Sequence, residues 1–542
     1  MPKLSDFVAG TGNGVGGSAS GNNTLVAKAS RFAIAVNDLL YMTSKGDLYP
    51  AQTASWAAPA SSVGSNNGGA ALIAETTVVT NTNATNNDVK QACWVSPLDQ
   101  CIFILAMGSG SQVMLTKYSP AGVALLSLKL DDVGATNYGA FNLIQLSNGN
   151  LAQTWSTGGN AQFFSICDTD LNPLVAKTAI TGPAATTNGN GLYAVALSGG
   201  GFAVTIAAPG TSTATAVYLA IYSNSGAVVR ASAAIANTTL LGNYARCAQL
   251  SDGTIVVAIS STTVNQALGV ASFTAAGVAA LAYTVLENSQ GSAGMPELAV
   301  VPGYFAVASQ LTTGGTATAK AFVLSNAGVL QGAALPFSMT SNGISPMFRM
   351  RADGTYFWIM CQAPSSAGVW ICRLSTTGGA SAVVSTFPLV IMTGTIDFFI
   401  ERDFIVHCIQ NAVYALSIRS DGTVVQYAVS TTPWTLTGAA NPHTFKPAGD
   451  FTVLAYSPSE GSNSSKFRVA RYLDASIIGV AQNGVAAGAA GTLVSMSVGP
   501  VALPINPLPG PAQRAFDHQS STPNVVGNKG YILQNSVVLK GY

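Results

Sequence analysis

Four charged residues stand at positions from which they could form one anion-binding site. Arg246, Glu297, Arg349 and Arg351 each lie in a short apolar segment that ends at a turn containing glycine. An arginine guanidinium binds carboxylates through a planar fork of N–H donors. If these segments are the innermost strands of a ring-shaped fold, the four side chains line its channel and contact an anion or a sugar acid. The alternative is that neighbouring backbone and water satisfy them, with no ligand.

A second candidate site is the segment "DTDLN", which puts Asp168, Asp170 and Asn172 at alternate positions. Calcium loops use oxygen ligands at this spacing. The sixth position of such a loop, normally a glycine, is Pro173 here, and the later bidentate glutamate is missing. We therefore expect an ordinary polar turn and no metal, with calcium as the weaker alternative.

Tryptophan rings offer a third way to hold a ligand, because an exposed ring can stack on a sugar. The chain has 6 tryptophans, and most lie in apolar runs that are typical of a core. Trp434 differs, since it lies in the polar segment "STTPWTLTG" between two repeat units. We predict that Trp434 is exposed and available to a ligand.

The cysteines and histidines do not predict a reactive or metal-binding centre. The 7 cysteines have no C-x-x-C spacing and lie in apolar runs, which indicates buried thiols made in a reducing compartment. Cys361 and Cys372 flank a loop, but a disulfide between them is the weaker interpretation. We expect the widely separated His407, His443 and His518 to be packed or surface residues.

The N-terminal glycines do not predict a cofactor site either. Gly12, Gly14 and Gly17 match the G-x-G-x-x-G pattern, but no strand precedes them and no helix follows. Without that context, the phosphate-binding geometry has no support, and a flexible linker is the better interpretation. We predict no cofactor.

Composition excludes several classes of partner. Charged residues make up only 8% of the 542 residues, hydrophobic residues make up 48%, and the formal net charge is +1. This balance argues against nucleic-acid binding and against an anionic membrane surface as partner. The start "MPKLSDFVAG" lacks the apolar stretch of a signal peptide, and no uninterrupted apolar run reaches bilayer length, so we predict neither export nor membrane insertion.

The candidate residues are positioned by a repeat. Short turns followed by apolar runs recur, as in "LSNGNL" and "LSDGTIVV", and the spacings of their anchors are 50, 51, 53, 50, 51, 49 and 47 residues. The anchors are Asp99, Gly149, Gly200, Gly253, Gly303, Gly354, Asp403 and Asp450. Asp-Gly and Asn-Gly are strong hairpin signals, and a fixed period in this range is typical of a repeat fold.

Each unit contains a second turn, such as "SNSG" at Ser223, with an apolar strand on either side. The unit is therefore four short strands joined as a meander, and continuous apolar strands fit sheets that are covered on both faces. Helical periodicity is nearly absent. The sequence predicts an all-β fold, a β-propeller of about eight four-stranded blades, with seven or nine as alternatives.

The chain divides into four parts on this interpretation. Residues 1–30 form a flexible, Gly-rich arm, and residues 31–90 hold strands and a linker that could close the ring. The β-propeller covers residues 91–482. Residues 483–542 form a Gly- and Pro-rich arm that docks on its own ring or on a neighbouring chain.

The chain resembles the tail and fibre-type structural proteins of tailed bacteriophages. The residues that carry the resemblance are the start "MPKLSDF" with its Gly-rich arm, the phrases "LSDGTIVVAIS" and "YSNSGAVV", and the closing "GNKGYILQNSVVLKGY". The resemblance implies a multi-copy virion component, made in the host cytoplasm, whose partners are other virion proteins and copies of itself. It also implies a β-rich body that faces outward and contacts host surface glycans.

Three functions are consistent with the sequence. The first is a non-enzymatic tail or fibre protein, as the resemblance implies. The second is a glycan-degrading propeller enzyme, a depolymerase or a sialidase-like protein, which would need carboxylates that converge in the channel. The third is a secreted bacterial lectin or adhesin, which would need an export signal that the sequence does not show. We expect the first.

Overall fold

The structure is a computed structural model that describes most of residues 91–380 and, beyond that range, separate strands. For those separate strands the structure describes the backbone alone, except at Phe398 and Ile400, where it also describes the side chains. The parts of 91–380 outside the description are 97–100, 108–111, 120–121, 133–137, 158–160, 181–191, 208–216, 236–243, 261–267, 288–291, 294–295, 314–315, 339–347 and 363–368.

Four strands are described before the repeats. They are β1 (Asn22–Val26), β2 (Leu39–Met42), β3 (Leu48–Ala51) and β4 (Ala71–Thr80).

The first four repeats form four-stranded antiparallel sheets, which we call blades 1 to 4. Blade 1 comprises β5 (Gln91–Val95), β6 (Ile102–Met107), β7 (Gln112–Tyr118) and β8 (Ala124–Asp132). Blade 2 comprises β9 (Tyr138–Gln145), β10 (Leu151–Thr157), β11 (Gln162–Cys167) and β12 (Pro173–Ile180). Blade 3 comprises β13 (Leu192–Ala196), β14 (Phe202–Ile206), β15 (Tyr218–Tyr222) and β16 (Val228–Ala234). Blade 4 comprises β17 (Tyr244–Gln249), β18 (Ile255–Ser260), β19 (Leu268–Phe273) and β20 (Ala279–Glu287).

Blades 5 to 8 follow the same plan, with two departures. Blade 5 comprises β21 (Ser292–Ala293), β22 (Glu297–Val301), β23 (Tyr304–Thr313), β24 (Thr316–Ser325) and β25 (Leu335–Ser338). Its innermost position is shared by β21 and β22, which both pair with β23. Blade 6 comprises β26 (Phe348–Ala352), β27 (Phe357–Gln362), β28 (Val369–Leu374) and β29 (Val384–Ser385). Blade 7 comprises β30 (Ile396–Glu401), β31 (Phe404–Ile409), β32 (Ala412–Ile418) and β33 (Val424–Ser430).

Blade 8 closes the ring with a strand from the other end of the repeats. It comprises β34 (Ala440–Ala448), β35 (Phe451–Pro458) and β36 (Ser464–Arg471), and β4 pairs with β36 as its outermost strand. The innermost strands contact one another in a closed series, β5–β9–β13–β17–β22–β26–β30–β34 and back to β5. The chain is therefore an all-β propeller with eight blades.

The strands outside the ring form two further sheets, of which one combines strands from both ends of the chain. The remaining strands are β37 (Ile477–Ala481), β38 (Leu493–Ser497), β39 (Ala502–Pro504), β40 (Gly530–Leu533) and β41 (Ser536–Leu539). One sheet has the order β1–β38–β37–β2–β3, and the other has the order β39–β41–β40. Thus β37, which the sequence analysis assigned to the ring, lies in a separate sheet, because β4 takes the outer position of blade 8. Strand β1 falls within the predicted flexible arm 1–30.

The hydrophobic core lies between neighbouring blades, and this explains the continuous apolar strands. Every residue of β10 and β18 is buried, since each of these strands has another blade on both sides. Trp155 of β10 packs into one cluster with Phe103 of β6, and similar clusters join each pair of blades from 1 to 6.

Glycines set the first turn of blades 2 to 6. Gly149, Gly253 and Gly354 occupy the same place and have φ angles of 89°, 87° and 93°, which favour glycine. In blade 2, the N–H of Gly149 donates to the carbonyl of Leu146 at 2.9 Å. The turn fixes where each innermost strand ends and thereby aligns those strands around the ring.

Candidate functional site

Innermost strands of three successive blades bring the predicted charged residues together. Arg246 lies in β17 of blade 4, Glu297 begins β22 of blade 5, and Arg349 and Arg351 lie in β26 of blade 6. Residues two apart on a strand share a face, so the two arginines of β26 point the same way. All four side chains meet because β22 contacts both β17 and β26.

The carboxylate of Glu297 is the centre of the cluster. Its Oε1 lies 3.2 Å from Nη2 of Arg246 and 3.1 Å from Nη1 of Arg349. Its Oε2 lies 3.4 Å from Nη1 of Arg351 and accepts the backbone N–H of Met350 at 3.5 Å. Four donors from two neighbouring blades therefore surround one carboxylate.

Burial and the neighbouring positive charges have opposite effects on the pKa of this carboxyl. The side chain of Glu297 is only 2% exposed. Burial alone would raise the pKa of Glu297, but Arg246, Arg349 and Arg351 outweigh it and hold the pKa below its ordinary value. Burial would also lower the pKa of Arg246, yet the Glu297 carboxylate keeps that pKa above its ordinary value. The cluster is charged at neutral pH.

Aromatic rings extend the cluster to the next blades. The guanidinium of Arg246 lies over the ring of Tyr193 in β13, 4.9 Å from its centroid. That of Arg351 lies 5.9 Å from the ring centroid of Phe398 in β30. Cation–π contacts of this kind are stronger where water is excluded. The charges of blades 4 to 6 are thus tied to blades 3 and 7.

The arrangement suits the binding of an oxyanion better than the donation of a proton by Glu297. A general acid needs a carboxyl that stays protonated near neutral pH, which requires a raised pKa. Glu297 has a lowered pKa and accepts hydrogen bonds from fixed donors. Its carboxylate shows that the three arginines can hold an oxyanion, and here that oxyanion belongs to the chain itself. Binding of a separate ligand stays a prediction.

The calcium candidate is occupied by hydrogen bonds of its own turn. Oδ1 of Asp168 accepts the backbone N–H groups of Asp170 and Asn172, both at 2.9 Å. Oδ2 of Asp168 accepts Nδ2 of Asn172 at 2.8 Å, and Asp170 pairs with Lys117 at 3.0 Å. These hydrogen bonds make the segment a polar turn, and the expectation that it binds no metal stays a prediction. Within the described residues, no group of three or more His, Cys, Asp or Glu could hold a metal ion.

Trp434, the other predicted ligand contact, lies outside the described residues. Trp155 and Trp358 are core residues, each 1% exposed or less. Cys361 and Cys372 are buried free thiols, and they lie opposite Trp370 and Ile359 rather than each other. The prediction of buried thiols holds for these two cysteines.

A buried carboxylate that the sequence analysis missed joins blades 1 and 2. Asp131 at the end of β8 accepts the indole N–H of Trp155 at 2.9 Å and pairs with Lys177 of β12 at 2.6 Å. Nζ of Lys177 lies 4.0 Å from the ring centroid of Phe163. The only signal in the sequence is the pair Asp131 and Asp132 after an apolar segment. Such a pair is equally typical of an exposed turn, so it does not predict a buried contact. This group holds two blades together.

No helix in the described part of the chain is long and apolar enough to cross a membrane.

Among known proteins, only solved structures show similarity to this chain. No protein-family model matches the chain, and no curated protein matches it. A PL25 ulvan lyase is 10% identical, with a TM-score of 0.42, over 73% of this chain and 96% of the lyase. Hsv2 of Kluyveromyces lactis is 11% identical, with a TM-score of 0.38, over 64% and 98%. The lectin BP39L of Burkholderia pseudomallei is 11% identical, with a TM-score of 0.37, over 64% and 99%. Values this low say nothing about what this chain binds.

Proposed function

We propose that the chain is a non-enzymatic structural component of a phage virion, a tail or fibre protein. In this proposal its terminal segments dock to other virion proteins, and loops of the propeller contact host surface glycans. The observation that carries the non-enzymatic part is the Glu297 cluster, in which the convergent charges fix three blades to one another. The phage assignment draws on the resemblance of the sequence.

The cluster favours a rigid scaffold because its charges are already bound to each other. The buried carboxylate accepts four donors. If it moved toward a substrate, the guanidinium groups would lose their counter-ion, which is energetically costly. Each donor sits on a strand of a different hairpin from Glu297. The blades therefore hold their relative positions, which is the property that a structural protein of a particle needs.

The two ends of the ring suit different contacts. Because strands alternate in direction, both turns of each blade lie at one end, and the longer connections lie at the other. At the turn end, Nδ2 of Asn224 donates to Oγ of Ser147 at 3.1 Å, and Nδ2 of Asn326 donates to Oγ of Ser251 at 3.2 Å, across neighbouring blades. We assign glycan contact to the end of the ring opposite these turns.

Quantitative mass spectrometry of gradient-purified phage particles tests the proposal. We expect the chain in a fixed ratio to the major particle proteins, and the ratio should stay constant across the gradient peak. A chain that is absent from particles, or whose amount does not follow the peak, would overturn the virion role.

A second assay tests the non-enzymatic part. The purified chain is incubated with host capsular polysaccharide, and the polymer length is followed by size-exclusion chromatography. We expect no change in length, with a heat-denatured sample as the control. A fall in polymer length that the control does not show would identify an enzyme instead.

A further inference from the structure

The third residue of the outermost strand packs against the following blade in the same way in blades 2 and 4. These residues are Val175 of β12 and Leu281 of β20. Each contacts the glycine in the second turn of the following blade. A Cβ at Gly226 would lie 3.2 Å from Cγ1 of Val175, and a Cβ at Gly328 would lie 2.5 Å from Cδ2 of Leu281. Aliphatic carbon therefore fills this position in both blades.

Blade 3, which lies between them, has an arginine at this position. Arg230 is the third residue of β16. Its methylene groups occupy the place that Leu281 has in blade 4, because a Cβ at Gly277 in the second turn of blade 4 would lie 2.5 Å from Cδ of Arg230. The guanidinium continues over the ring of Phe273, 4.4 Å from its centroid. Contacts with the turn and the ring fix the position of this side chain.

The charge of Arg230 has no counter-ion among the residues that the structure describes. Its Nη1 is buried and has no hydrogen-bond partner in that part of the chain. Burial lowers the pKa of Arg230, and no carboxylate of the described residues opposes this effect. Asp252, at the same end of blade 4, is used by its own turn, because its Oδ1 accepts the N–H and the hydroxyl of Thr254 at 2.9 and 2.6 Å.

Packing alone does not explain why an arginine occupies this position. Leu281 makes the same contact in blade 4 without a charge. A partly buried cation costs free energy unless a polar or charged partner compensates it. The three arginines of the central cluster have such a partner, since each contacts the carboxylate of Glu297. Arg230 therefore differs both from its equivalents in neighbouring blades and from those three arginines.

We propose that Arg230 binds a carboxylate ligand at the outer rim, where blades 3 and 4 meet. A guanidinium offers a planar fork of N–H donors that fits a carboxylate, and the ligand supplies the counter-ion. Arg230 is half-buried, so part of the side chain is open to a ligand from solvent. The carboxylate belongs to a free acid or to an acidic sugar. The site lies beside the second turns, at the other end of the ring from the proposed glycan contact, and does not depend on the virion role.

Titration of the full chain with glucuronate at constant ionic strength, followed by saturation-transfer NMR, tests the site. We expect Arg230→Leu to weaken binding by about tenfold or more, because leucine keeps the packing but removes the charged donors. Lys129→Leu is the matched control. It removes one positive charge from the outermost strand of blade 1, where the side chain is 48% exposed, and should leave the affinity unchanged. Equal affinity for acetate would identify a site for free acids, and tighter binding of glucuronate would identify an acidic sugar.

Melting temperatures in chloride separate ligand binding from a structural role. We expect Arg230→Leu to melt no lower than the wild type, because leucine already serves at this position in blade 4. Arg230→Lys, which keeps the charge but loses the planar fork, should also stay folded and bind glucuronate more weakly than the wild type. No saturable binding by the wild type, equal affinity of the wild type and both Arg230 variants, or an equal loss in Lys129→Leu would overturn the proposal.

Discussion

Glu297 is the residue on which the ring's central charges depend, and its removal gives the first prediction. In Glu297→Gln the side chain keeps its size, but the carboxylate that contacts Arg246, Arg349 and Arg351 is lost. We expect a loss of about 2 kcal/mol in the free energy of unfolding, less than the roughly 3 to 5 kcal/mol of a fully buried broken pair, because the guanidiniums are partly exposed. Urea unfolding followed by tryptophan fluorescence measures it.

Glu287→Gln is the matched control for this change. Glu287 makes a single ion pair with Lys320 at 2.7 Å near the rim. A pair of this kind contributes about 0.5 kcal/mol. If the two variants lose the same stability, the Glu297 cluster does not hold the blades together as described.

The lowered pKa of Glu297 gives a prediction on pH. The folded chain holds this carboxyl ionised to lower pH than the unfolded chain does, so folding is stabilised above the ordinary glutamate pKa of about 4.3. That contribution is lost as the pH falls through the lower, folded-state pKa. We expect the difference in melting temperature between the wild type and Glu297→Gln to be constant near neutral pH and to shrink in acid. A difference that is unchanged in acid would contradict the lowered pKa.

At the scale of elements, turn glycines test how closely neighbouring blades approach. Gly354 and Gly378 both lie in blade 6 with positive φ, 93° and 80°. A Cβ at Gly354 would meet nothing within 4 Å, whereas one at Gly378 would overlap the backbone carbonyl of Gln331 in blade 5. We expect Gly354→Ala to cost about 1 kcal/mol, from φ alone, and Gly378→Ala to cost about 2 kcal/mol more, from overpacking. Thermal unfolding measures both.

Equal losses in these two variants would show that blades 5 and 6 do not meet at that turn. The comparison needs no further control, because both residues are turn glycines of one blade with the same type of backbone.

Local sequence signals were enough to predict the blades, because the strands of a blade pair in the order in which they follow one another along the chain. Turn anchors recur at a fixed spacing, five of them glycines such as Gly149 and three of them aspartates such as Asp99, and the number of blades follows from counting all eight. The Arg246–Glu297 contact could also be predicted, because both residues lie on innermost strands, which must meet in any ring. The contact of Asp131 with Trp155 could not, since it joins the outer strand of one blade to the second strand of the next. No feature of the sequence near Asp131 or Trp155 indicates that these two strands approach each other.

At the scale of the whole molecule, β4 closes the ring by pairing with β36 of blade 8. Thr76 and Thr77 face Phe467 and Lys466 in adjacent rungs of this ladder. Backbone N–H groups of adjacent residues point in opposite directions, so one of the two donates to β36 and the other points outward. We expect proline at one of these positions to lower the melting temperature strongly and proline at the other to be tolerated, as on an edge strand.

Thr76→Ala and Thr77→Ala control for the loss of the side chain, and both should be nearly neutral. If both prolines are tolerated, β4 does not close the ring, and blade 8 must be completed in another way.

The central claim, a rigid propeller that serves as a virion component, is tested most directly by cryo-electron microscopy of phage particles purified from cultures that produce this chain. The account predicts eight-bladed rings at repeated positions in the map, with the ends of the chain against neighbouring proteins. A complete particle map without such a ring, together with recovery of the chain only outside the particles, would contradict it.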